Sequence, residues 1–87
     1  MDMKEIREKI DAIDDSIVKA FEERMTLCGD IAEYKKKNGV PIYHPEREKQ
    51  IIDRITKDLD NGMAECTREL YEKLFEISRS YQEKRIK

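Results

Sequence analysis

An arginine interrupts an otherwise apolar stripe. Ile6, Ile10, Ile13, Ile17 and Ala20 recur at alternating spacings of four and three, and Leu27, Ile31 and Tyr34 continue the series. The position missing between the two runs holds Arg24. Residues spaced in this way share one face of a helix, and an unpaired guanidinium on a buried face is strongly unfavourable. An anion must answer it, either a carboxylate of the protein or one on a ligand. Lys35 lies ~20° from Arg24 around an ideal helix at ~100° per residue. Two cations in one seam describe an anion pocket. The chemistry open to such a pocket is binding, orientation and stabilisation of developing negative charge.

Other polar residues fall where a helical protein has little use for them. Arg7 points ~100° away from Arg24 on an ideal helix; it is either a solvated arginine near a helix start or a cation offered to another chain's pocket. Arg47 and Glu48 open a second helical pattern. Glu48 either complements the helix dipole and pairs with Arg47, or faces a site. Ser78 and Gln82 extend the inward stripe of Tyr71, Leu74 and Phe75, and buried Ser and Gln need hydrogen-bond partners. Ser78 bonding a carbonyl one turn back and Gln82 fraying at the chain end is one outcome; a polar pocket at the end of the core is the other. In the run Lys35-Lys36-Lys37 only Lys35 shares the face of Arg24. The only histidine is His44, no Ser/His/Asp or Cys/His set suggests a nucleophile, and no phosphate-cradling glycine loop or metal-ligand spacing occurs. An enzyme built from these residues would work by positioning and charge, without a metal or cofactor.

The elements that must hold these residues are helices. The chain has 87 residues, 44% charged and 38% hydrophobic, with no Trp, two Pro and three Gly. This composition suits charged-surface helices and argues against a sheet. A net charge of −2 from interspersed charges is not the footprint of a nucleic-acid binder. No apolar run approaches membrane-spanning length and no signal-peptide core opens the chain, so a cytoplasmic protein without a membrane partner is expected. Cys28 and Cys66 read as free thiols filling small core gaps. One domain, residues 1–87, is expected to be all-α. Its first helix spans about 3–37 and is closed by Asn38-Gly39. An extended Val40-Pro41-Ile42-Tyr43 connector follows. The second helix spans about 45–60, with Pro45 in its first turn and Asp60-Asn61-Gly62 ending it. The third spans about 63–86, with Leu70, Tyr71, Leu74, Phe75, Ile77 and Tyr81 inward. A helix of that first length is ~52 Å long, too long for the other two to cover. A homodimer paired along the first helix is the simplest remedy.

Taken in order, Ile6 to Asp14, Arg24, Lys35, Val40 to Glu48 (through His44, Pro45 and Arg47), then Ser78 and Gln82 resemble the all-helical chorismate mutases, the AroQ type, over nearly the whole chain. The resemblance implies an intertwined homodimeric bundle of three-helix chains, each site borrowing Arg7 from the other chain. It implies the pericyclic rearrangement of chorismate to prephenate in phenylalanine and tyrosine biosynthesis, with no cofactor. Arg24 and the borrowed Arg7 would clamp the two substrate carboxylates, and Lys35 and Gln82 would meet the ether oxygen. Glu48 would bind the ring hydroxyl, while Arg47 and Ser78 support a carboxylate and the pocket wall. His44 stands where the family commonly has aspartate as helix cap and pocket wall, and histidine is the poorer cap. Two other functions fit the same residues: an isochorismate-pyruvate lyase of this fold, and a non-catalytic helical dimerisation or regulatory domain.

Overall fold

The structure, a computed structural model, describes residues 1–87, which form three helices and no strand: α1 (Met3–Asn38), α2 (Pro45–Thr56) and α3 (Asn61–Arg85). Asp2 caps α1, its Oδ1 accepting from the Glu5 amide at 2.8 Å. At the other end Gly39 adopts φ +66°, a conformation that costs a side-chain-bearing residue ~1–2 kcal/mol. This lets the Gly39 and Val40 amides turn back onto the carbonyls of Lys36 and Lys35. The stop signal at Asn38-Gly39 thus works as its residue types suggest.

The second boundary differs from the sequence expectation. Helix α2 ends at Thr56, not near residue 60, and α3 starts at Asn61 rather than Met63 and ends at Arg85 rather than 86. The reason is Asp60. Its side chain accepts from the Met63 amide at 2.8 Å and its carbonyl from the Ala64 amide at 2.8 Å. Asp60 therefore opens α3 instead of closing α2, with the extended backbone that a cap needs. The chain must leave the helical path before it.

Helix α3 lies against both α1 and α2, and α1 and α2 meet only through it. The molecule measures 53 × 26 × 15 Å with a radius of gyration of 16.0 Å, where a compact domain of this length has ~12 Å. Its surface of 7168 Å² likewise exceeds the ~5,400 Å² of a compact monomer of this mass. Only 8 of 87 residues are buried. The apolar stripe of α1 lies open: Ile10, Ile13 and Ile17 are about half exposed or more, as are Leu27 and Tyr34. Leu70 and Ile77, expected to face inward, are exposed, and so is Cys66; Cys28 is buried. No helix is long and apolar enough to cross a membrane.

Gly29 sits mid-α1 against Tyr81 of α3. A methyl group there would lie 3.5 Å from Tyr81 Cε2 and 3.6 Å from its hydroxyl, which is ordinary contact. Gly29→Ala is therefore expected to stabilise the fold by ~0.5–1 kcal/mol through helix propensity, visible as a higher Tm in thermal circular dichroism. A lower Tm would show that the two helices need the closer approach.

Candidate active site

The residues singled out by pattern converge at one end of the fold. A cavity of about 280 Å³ opens between the C-terminal half of α1, the connector, the start of α2 and the end of α3. It lies close to the lower end of the ~300–1,000 Å³ range of small-molecule sites. Arg24 and Lys35 line it from α1, His44 from the connector, Arg47 and Glu48 from α2, and Ser78 and Gln82 from α3. Leu27, Ile31, Ile42, Ile51 and Phe75 supply its apolar wall. Arg7 is not part of it; it is exposed and sits ~26 Å from Arg24 along α1 at ~1.5 Å per residue.

Three cations of the cavity, Arg24, Lys35 and Arg47, are held without being neutralised. Arg24 Nη1 lies 3.7 Å from Cys28 Sγ, one turn away, and its guanidinium stands 5.9 Å from the Phe75 ring centre. Lys35 Nζ donates to the Ile42 carbonyl at 2.8 Å, so the last turn of α1 grips the connector. Arg47 is exposed at the mouth. The molecule's four ion pairs are Lys49–Asp53, Lys73–Glu76, Arg79–Glu48 and Arg85–Glu33. None involves Arg24, Lys35 or Arg47, so no carboxylate of the chain answers the arginine in the stripe.

Three local arrangements depart from the simpler readings of the sequence. Glu48 pairs not with Arg47 but with Arg79 of α3, at 2.5 Å. That hydrogen bond raises the Arg79 guanidinium above its ordinary pKa, against the opposing effect of burial. Ser78 does not bond a carbonyl one turn back: its hydroxyl donates to Cys28 Sγ at 3.0 Å and accepts from Gln82 Nε2 at 3.2 Å. Gln82 is buried rather than frayed, and its Oε1 has no partner, an omission that costs ~1–3 kcal/mol. The third is the cap of α2: His44 Nδ1 accepts from the Arg47 amide at 3.0 Å. The imidazole itself fills the capping role, with Nδ1 bare.

Arg79 is the charged residue of the cavity that sequence reasoning missed. Arg79 also lies over the Tyr43 ring, 4.8 Å from its centre. Position 79 is ~100° around the helix from Ser78, so its place in the sequence suggests a solvated face. Cys28, read as filler, is the hinge between Arg24 and Ser78. No cluster of three metal-ligating side chains forms anywhere in the chain.

A family-wide sequence profile described as chorismate mutase type II matches residues 6–83. The chain belongs to the type II chorismate mutase family. The match takes in every residue that lines the cavity. The chorismate mutase of Methanocaldococcus jannaschii is 54% identical over 55 residues, a stretch covering 63% of this chain and 56% of that protein. The bifunctional chorismate mutase/prephenate dehydratase of Aquifex aeolicus is 41% identical over 56 residues, 64% of this chain but 16% of the relative. A 4-amino-4-deoxychorismate mutase of Streptomyces venezuelae is 31% identical over 65 residues, 74% of this chain and 63% of the relative. The matched stretch thus spans about half of the Methanocaldococcus chorismate mutase and a small part of the bifunctional Aquifex protein.

Proposed function

We propose that this chain catalyses the rearrangement of chorismate to prephenate, as a homodimer whose two sites each take Arg7 from the partner subunit. One observation carries the reading. Arg24, Lys35 and Arg47 line a single cavity with no carboxylate of the protein paired to any of them, and chorismate brings two carboxylates. Family membership and the archaeal relative's name support the same substrate.

The step is intramolecular: a carbon–oxygen bond to the ring breaks as a carbon–carbon bond forms, with no proton, electron or group entering from outside. The protein's contribution is then geometric and electrostatic. Arg24 and Arg7 of the partner subunit hold the carboxylates bidentately and keep the flexible substrate folded. Lys35 exchanges the Ile42 carbonyl for the ether oxygen, whose charge grows as its bond breaks. Gln82 joins it; turning its amide by half a turn frees the –NH₂ to donate and brings Oε1 to the Ser78 hydroxyl, which donates to it in exchange for its bond to Cys28 Sγ. Glu48 accepts from the ring hydroxyl, Arg47 supports a carboxylate, and Ser78 and His44 complete the wall.

Support for the dimer comes from the open stripe of α1, the radius of gyration well above that of a compact chain, and the distance of Arg7 from its own chain's cavity. A second copy laid along α1 would cover the stripe and bring an Arg7 to each cavity.

Incubation with chorismate, followed by NMR of the products, tests the reaction. Prephenate as the sole product supports the mutase. Pyruvate released from isochorismate, with chorismate untouched, replaces it with the lyase. Turnover of neither leaves a helical binding module.

A further inference from the structure

Of the cavity's four cations, only Arg79 has a carboxylate partner. It reaches from α3 to α2, places Nη1 2.5 Å from Glu48 Oε2, and rests its guanidinium on the Tyr43 ring. The two side chains are 31% and 23% exposed, so solvent screens the pair only in part. No group of the chain donates to the other Glu48 oxygen, Oε1. The result is a carboxylate with one oxygen tied behind a fixed cation and the other available as an acceptor. The Tyr43 ring gives the guanidinium a second contact besides Glu48.

We propose that Arg79 is a positioning residue that makes Glu48 accept from a neutral hydroxyl and refuse a cationic ammonium, and so sets which of two related substrates the site takes. The inference rests on the chorismate reading above, with Glu48 at the ring hydroxyl. A hydroxyl donates one hydrogen bond to Oε1 and adds no charge. An ammonium in its place would gain from an isolated carboxylate, but here it meets a second cation on the far side of the same group. Like charges brought together at a recognition site are a means of rejecting the wrong partner. The choice is a real one among the relatives, since one similar protein is named for 4-amino-4-deoxychorismate.

The test compares kcat/KM for chorismate and for 4-amino-4-deoxychorismate on the wild-type chain, Arg79→Met and Arg79→Lys. Where the amino compound turns over too slowly, its inhibition constant is compared with the KM for chorismate, neither of which depends on the folded fraction. Both substrates meet the same protein sample, so the ratio is independent of the folded fraction, and a poorly folding variant still reports. Arg79→Met is expected to lower the preference for the hydroxyl substrate by about tenfold or more, and Arg79→Lys to keep it within about threefold of wild type. An unchanged ratio in Arg79→Met overturns the proposal, and so does an equal fall in Arg79→Lys, which would assign the effect to shape rather than charge. Failure of the wild type to turn over chorismate removes the mutase reading and this inference together; normal wild-type turnover with an unchanged ratio removes only the inference.

Discussion

Arg24→Ala is expected to fold like the parent chain and to lose about 10²–10³-fold or more of kcat/KM, the ~3–4 kcal/mol commonly carried by one preorganised transition-state contact. The two halves of this expectation come from the same fact. Arg24 makes no ion pair, so its removal strands no buried carboxylate. It gives up the contact with Phe75 at 5.9 Å, worth ~0.5–1 kcal/mol at a partly exposed site, and gains a little from the helix propensity of alanine. A near-unchanged Tm in circular dichroism together with collapsed prephenate formation is therefore the expected pair of results. Loss of the fold would mean that Arg24 is structural. Activity within about tenfold of wild type would mean that the substrate does not use it.

The second large effect is a gain from mixing two dead proteins. Arg7→Ala and Arg24→Ala are each expected to be nearly inactive, for in a symmetric dimer each damages both sites. After co-denaturation and refolding at equal amounts, about half of the dimers are mixed by random pairing in a two-fold assembly. Each mixed dimer has one site with both arginines intact, supplied by different chains, and one site lacking both. About a quarter of wild-type activity is expected to return. If Arg7 served its own chain's cavity, every chain would keep its own lesion and mixing would restore nothing. The assay thus reads out the source of Arg7 as well as the existence of the dimer.

The residues explain which features were legible before the structure and which were not. A long amphipathic helix writes its face into spacing, so Arg24 and Lys35 could be placed on one side of α1 from periodicity alone. Ser78 and Gln82 were legible for the same reason on α3. Asn38-Gly39 carries its stop in the chemistry of glycine. Asp60 was ambiguous because an aspartate between two helices can belong to either, and its two contacts, to Met63 and Ala64, exist only once α3 is formed. The Arg79–Glu48 pair was hidden for a different reason: its partners are 31 positions apart, on helices whose relative orientation no spacing rule encodes. Exposure of Leu70 and Ile77 was likewise unreadable, because an apolar residue at helical spacing looks the same whether it meets its own chain or nothing in it.

The bond from Lys35 to the Ile42 carbonyl has a thermodynamic meaning for binding. Immobilising a free lysine removes ~1.5–2 kcal/mol of rotamer freedom, a cost that usually falls on the ligand. Here the ammonium is already localised at 2.8 Å from a backbone oxygen in the ligand-free protein. An arriving acceptor exchanges one hydrogen bond for another on a side chain already tethered by its ammonium. The carbonyl it displaces belongs to Ile42, a half-buried residue between exposed neighbours in the connector, where water can take the lysine's place. Folding of the last turn of α1 thus absorbs an ordering cost before any substrate arrives, and Ile42, which touches no reacting atom, helps set the affinity through its main chain.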